Sequence, residues 1–203
     1  METAPGQSDT PDPIAGSKAA ARPEATPASA EPRNPSGISL WIRDLLVSAF
    51  ASVLIITFLY QPVRVEGISM LPRLENRDRL FINKFAYHFS AIERGDVIVF
   101  RYPRDPSTSY IKRVIALPSD SIRIDRGRVV LNGKVLPEPY VPQQYRDDRS
   151  MSEMIVPANS YFVLGDHRNV ASDSREFGPV DRSLVYGKAV FVYWPAHDLG
   201  VVR

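Results

Sequence analysis

Ser69 stands in "VRVEGISMLPRL", residues 63–74, directly before Met70 and within ten residues of the end of one long apolar run. A serine hydroxyl is a poor nucleophile at neutral pH and needs a base. The candidate bases are three histidines (His88, His167 and His197) and four lysines, Lys84, Lys112, Lys134 and Lys188. His167 lies in "GDHRN" beside Asp166. Neighbours in a chain point in different directions, however, and the members of a Ser-His-Asp set usually come from separate elements. Lys112 lies in "YIKRVIAL". Strand alternation puts Lys112, Val114 and Ala116 on one face and Ile111, Arg113 and Ile115 on the other. Desolvation among small apolar neighbours would lower its pKa, and an amine that is neutral at about pH 7–8 is a competent general base. On this segment alone, a lysine that reaches to water along its aliphatic stem is the plainer reading.

The elements that must position these residues follow from composition and patterning. At 203 residues, with 44% apolar and 24% charged residues, the chain holds one medium domain plus accessory segments. A net charge of +2, with no basic stripe interleaved with aromatics, argues against a nucleic-acid partner. The absence of cysteine excludes disulfides, thiolate catalysis and cysteine zinc sites. The histidines lack H-x-x-x-H spacing, so neither a metal nor a cofactor is expected.

Three segments are expected. Residues 1–37 hold seven prolines and almost no large apolar residue, the composition of a disordered tail. Residues 38–63 read as a transmembrane anchor. "LLVSAFASVLIITFLYQPV" carries no charge over nineteen positions, enough to cross the ~30 Å hydrocarbon core. Trp41 and Tyr60 bracket it, and Pro62 marks its end. It is apolar all round, unlike an amphipathic core helix, and too long and too deep in the chain for a cleaved signal. Lysine and arginine counts on its two sides give no orientation. Residues 64–203 read as a β-rich domain. "RLFINKF", "DVIVFRY", "YIKRVIAL", "SIRID", "RVVLNGKVL", "SYFVLGD" and "GKAVFVYW" are strand runs separated by Gly, Pro, Asp and Asn. Asn132-Gly133 is a hairpin signal.

The motif set adds to this reading. "YQPVRVEGISMLPRL" resembles the nucleophile region of bacterial type I signal peptidases, a span followed by a proline and then G/S-x-S-M-x-P. "RGDVIVFRYP", "YIKRVIALPSD" and "GDHRNVASDSREFGPV" resemble further family segments in the right order, and "DRLFINKFAY" looks like the family's next strand. The resemblance covers about residues 40–195, and five motifs in order after a span are far more specific than one.

The resemblance implies a mainly antiparallel β-sheet, barrel-like domain after one transmembrane helix. It implies a serine endopeptidase with Ser69 as nucleophile and Lys112 as general base. Its substrates would be signal peptides of secreted preproteins with A-x-A-type sites, bound as an added strand. Membrane lipid and the secretion translocon would be partners. The protein would sit in the cell membrane with a cytoplasmic tail and an outward catalytic domain.

Supporting roles follow by the same resemblance. Gly67 replaces a common serine of the oxyanion site, which leaves more of the load to the Ser69 N–H. Met70 would pack beneath the site. Ala171 takes the place of a lysine-orienting serine, so either the loop presents Ser172 or Lys112 has one hydrogen bond fewer. Asp173 and Arg175 would form an ion pair that joins the lysine strand to this loop, or a solvated loop pair. Arg73, Ser119 and His167 replace a threonine, a glycine and an asparagine. Two rival classes use the same residues: a non-catalytic anchored module that binds signal peptides, and a relative that processes one exported protein.

Overall fold

The computed structural model describes residues 37–202, so the expected tail lies outside the described residues except for Gly37. The chain divides into two compact units between Arg43 and Asp44, inside a helix, α1, that runs over Gly37–Leu59. The described part of the first unit is the start of that helix. No glycine or proline interrupts residues 38–59, and helix-breaking residues are the costly ones. Among the described residues one helix, Ile38–Leu59, is long and apolar enough to cross a membrane. Its side chains from Leu45 to Phe58 are largely exposed, which is not the burial of a core helix.

The helix stops earlier than the sequence suggested. Tyr60–Val63, expected as the end of the anchor, instead open the β domain as strand β1, Tyr60–Arg64. Pro62 biases the residue before it away from helix, and β1 is an edge strand, where a proline costs no ladder bond.

The remaining strands are β2 (Arg79–Asn83), β3 (Val97–Tyr102), β4 (Asp105–Ala116), β5 (Ser121–Asp125) and β6 (Arg128–Leu131). They continue with β7 (Lys134–Val135), β8 (Met151–Ile155), β9 (Ser160–Leu164), β10 (Val180–Asp181), β11 (Val185–Trp194) and β12 (Gly200–Val201). Short helices α2 (Ala86–Phe89) and α3 (Ser174–Phe177) lie between them. Every pairing is antiparallel. The larger sheet has eight strands in the order β1-β2-β11-β3-β4-β9-β10, with β12 on β11, and this path does not close on itself. The smaller sheet has four, β7-β6-β5-β8. Asn132 and Gly133 both have positive φ, 48° and 77°, as a two-residue hairpin between β6 and β7 requires.

Strand β4 joins the two regions. Lys112 lies opposite Ile98 on β3, and Arg113 lies between Val97 on β3 and Leu164 on β9. The expected alternation holds through Val114, which packs with Ile98 and Phe100. It then breaks at an irregularity between Val114 and Ala116, so that Ile115 and Ala116 enter one core cluster with Ile122, Phe162 and Leu164. A separate cluster of Val65, Met70, Leu74, Leu80, Ile82, Val97 and Val99 supports the loop that carries Ser69.

Candidate active site

The loop between β1 and β2 is closed by Val65 N–H to Asp78 C=O at 2.8 Å and Arg77 N–H to Val65 C=O at 2.9 Å. Met70 and Leu74 are buried in the cluster beneath it, so Met70 packs where the resemblance implied. Gly67 has φ +102°, a conformation that favours glycine, and no neighbour would meet a Cβ there. Its constraint is therefore backbone conformation, not space. The Gly67 N–H donates to Asn76 Oδ1 at 3.1 Å.

Lys112 reaches this loop from β4. Its Nζ lies 2.8 Å from Ser69 Oγ and donates to the Ile111 carbonyl at 3.1 Å. The Tyr110 ring lies below it, 5.0 Å from Nζ to the centroid. Lys112 is 4% exposed, and this burial lowers its pKa from 10.5 to about 8. The carboxylates of Asp173, Asp166 and Glu176 pull the other way, in that order. The plainer reading of a lysine that reaches to water does not hold in the fold. Ser69, Lys112, Gly67 and Ser172 line one cleft of about 540 Å³, with Leu80 and Ile82 among its apolar walls.

Ser172 enters that cleft but makes no hydrogen bond among the described residues. Of the two alternatives, this is the arrangement in which Ser172 does not orient the amine; the Ile111 carbonyl does. Ala171 is buried where its methyl group approaches Gly165. A Cβ on Gly165 would fall 2.4 Å from that methyl and 2.5 Å from the Ser69 carbonyl oxygen. Only glycine admits so close an approach of the two loops.

Asp173 and Arg175 form a buried pair, at 2.8 and 2.7 Å, rather than a solvated one. Asp173 also caps α3 and accepts from the Gly165 N–H at 3.1 Å. Arg175 continues to Asp147 at 2.6 Å. This network holds its own loop to the end of β9. The joint between the lysine strand and the loop is a different pair, which the sequence did not disclose. Arg113 donates twice to Asp166, at 2.9 and 2.6 Å, and once to the Gly95 carbonyl at 3.0 Å. Arg168 and Glu138 form a second buried bidentate pair.

Among the described residues His167 makes no hydrogen bond to the Ser69 hydroxyl. Its Asp166 neighbour is taken by Arg113, and its ring Nδ1 lies 3.0 Å from the Ile68 carbonyl. Its N–H donates to the Ser69 carbonyl at 3.1 Å. Arg73 donates to the carbonyl of Val201 and so ties the Ser69 loop to β12. Ser119 has φ 71°, which explains why glycine suits that position. Outside the cleft, Glu75, His197 and Asp198 bring ligand-type atoms within 4.8 Å of one another, a grouping that histidine spacing alone did not reveal.

With this geometry in view, comparison with known proteins gives one answer. The family model described as "Signal peptidase, peptidase S26" matches residues 38–194. A "Signal peptidase I" of Leptolyngbya laminosa is 38% identical over 88% of this chain and 90% of its own length. A "Signal peptidase I P" of Bacillus subtilis subsp. natto is 34% identical over 81% of this chain and 94% of its own. A solved signal peptidase I structure from Enterococcus faecalis V583 aligns at 31% identity with a TM-score of 0.43, over 49% of this chain and 97% of that one. The chain belongs to the signal peptidase family, peptidase S26.

Proposed function

We propose that the protein is a membrane-anchored serine endopeptidase that removes signal peptides from secreted preproteins, with Ser69 as nucleophile and Lys112 as general base. The observation that carries this is the 2.8 Å contact between Lys112 Nζ and Ser69 Oγ, made by a buried amine whose pKa is lowered to about 8. When the amine is neutral the contact reverses, and the Ser69 hydroxyl donates to the Nζ lone pair.

Ser69 Oγ then attacks the scissile carbonyl carbon as its proton passes to Lys112. The oxyanion of the tetrahedral intermediate is taken by the Ser69 N–H, which has no acceptor among the described residues. Collapse breaks the C–N bond, and the Lys112 ammonium returns the proton to the leaving amine of the mature protein. A water then hydrolyses the ester between the signal peptide and Ser69, with Lys112 again as base.

Thr108–Lys112 line the cleft on β4, while pairing with β9 begins only at Arg113. That leaves a strand edge on which an extended substrate can add. The apolar helix α1 enters the domain directly through β1, so an anchored reading keeps Ser69 near the bilayer, where signal peptides lie. Lipid contact, a translocon partner, a cytoplasmic tail and an outward catalytic domain belong to this same reading.

The test is cleavage of a preprotein bearing an A-x-A site by the detergent-solubilised protein. Ser69→Ala and Lys112→Met are each expected to abolish it, and wild-type rates in either variant would remove the assignment.

A further inference from the structure

The loop that carries Ser69 has no strand partner at that residue, so the peptide group between Ile68 and Ser69 must be fixed from elsewhere. That peptide presents two groups, the carbonyl oxygen of Ile68 and the N–H of Ser69. It is trans, so the two point in opposite directions. The oxygen faces His167 Nδ1 at 3.0 Å. A carbonyl oxygen only accepts, so Nδ1 carries the proton. The Tyr145 ring stands edge-on to the imidazole, with centroids 4.5 Å apart and planes at 75°, and fixes its orientation. The next peptide is held from the same loop, by the His167 N–H on the Ser69 carbonyl at 3.1 Å. At the far end of the first peptide, the Ser69 N–H has no acceptor among the described residues.

We propose that His167 is a positioning residue for the oxyanion site: its Nδ1–H bond to the Ile68 carbonyl aims and polarises the Ser69 N–H that receives the oxyanion. The proposal rests on the reading of Ser69 as nucleophile. Hydrogen bonds in series strengthen one another, because density drawn to the carbonyl oxygen leaves the amide hydrogen more positive. Gly67 has no side-chain donor to share the load. The oxyanion exists only during reaction, so the effect falls on kcat and not on KM.

The experiment compares His167→Asn with His167→Leu in the full-length protein in detergent. Both replacements branch at Cγ, and the Asn Nδ2–H stands where the imidazole Nδ1–H stood. His167→Leu is expected to lower kcat about tenfold with KM unchanged. Affinity for a peptide aldehyde, whose adduct with Ser69 carries the same oxyanion, is expected to fall in proportion, and the thermal midpoint to hold. His167→Asn is expected to return kcat to within about threefold of the wild type. A leucine variant that keeps kcat, or that fails through KM alone, overturns the proposal, as does an asparagine variant no better than leucine. Should His167→Leu lower the thermal midpoint, His167→Asp decides. It has the shape of asparagine but no donor when ionised, and full kcat in that variant overturns the proposal. Ser69→Ala separates the two layers. Activity in that variant removes the nucleophile reading, whereas its loss beside a fully active His167→Leu removes only the role of His167.

Discussion

Lys112 and Arg113 are adjacent on β4, both cationic by type and both buried, at 4% and 2% exposure, yet the two faces of the strand treat them in opposite ways. On one face, Arg113 meets a carboxylate through two hydrogen bonds, a backbone carbonyl through a third, and the Tyr140 ring at 4.3 Å. On the other face, Lys112 meets a hydroxyl and a carbonyl, with carboxylates acting on it only through space. A guanidinium stays charged in either setting, whereas an amine yields its proton when burial outweighs its partners. Burial with a bonded carboxylate makes a charged joint, whereas burial without one lowers the pKa of Lys112 to about 8.

Changes on each face break this comparison in different currencies. Lys112→Arg places a group that cannot be neutral where the proposed mechanism requires a base. It is expected to lower kcat/KM by at least about a thousandfold, checked by cleavage of a preprotein. Lys112→Met is expected to lose activity just as fully but to melt no lower than the wild type, because it removes a desolvated amine and keeps the volume. Asp166→Asn acts on the opposite face and strands Arg113. It is expected to cost about 3–5 kcal/mol of stability, read from thermal or denaturant unfolding. The double change Arg113→Met with Asp166→Leu should recover most of that loss, since an apolar pair of similar volume often replaces a buried ion pair at little cost. A stable Asp166→Asn protein would show that the joint is not where the two contacts place it.

The same contrast explains what the sequence disclosed. β3, β4 and β11 were legible because their Val, Ile and Phe runs are bounded by turn residues, and the hairpin because Asn132-Gly133 suits only a narrow set of turns. β8 was missed: "MSEMI" carries Ser and Glu at its exposed positions and looks like loop. β1 was absorbed into the helix because apolar composition alone does not separate the end of a span from an edge strand. For Lys112 the flanking residues alone favoured a lysine that reaches to water, and only the order of the motifs singled out Ser69 and Lys112 together. Partnerships across the fold were not legible. Nothing local to Arg113 names Asp166, 53 positions away, and nothing in "GDHRN" says that its histidine faces Ile68, 99 positions away. The expected Asp173–Arg175 joint was near the right place but assigned to the wrong pair, since "SDSR" shows two opposite charges and not which strand each one reaches.

On the proposed mechanism only neutral Lys112 takes the Ser69 proton, and its pKa is lowered to about 8. The active form is therefore present above that value and is lost as pH falls through it. Below about pH 8, kcat/KM is expected to drop about tenfold per pH unit, measured as a pH–rate profile on a short peptide substrate. A limb near the ordinary histidine range, about 6.5, would instead point to an imidazole as the titrating base and sink the assignment to Lys112.

The smallest expected effect tests whether carboxylates reach Lys112 through space at all. Asp173, Asp166 and Glu176 each raise its pKa against the larger effect of burial. The first two are fastened into buried ion pairs, so replacing either disturbs the fold as well as the field. Glu176 is different. Its side chain is half exposed, at 49%, and among the described residues its one ion pair, to Arg149, is loose at 3.5 Å. The bond that Arg104 makes there goes to the Glu176 backbone carbonyl, which a side-chain change leaves in place. Glu176→Gln therefore removes a charge with little else. With that charge gone the ammonium is less favoured, the pKa of Lys112 falls further, and the acid limb moves to lower pH. At pH 7, kcat/KM is expected to rise, by less than about twofold because the charge is screened by water and salt, and the gain should shrink at high ionic strength. A limb that moves to higher pH would mean that Glu176 acts on the site by some route other than its charge.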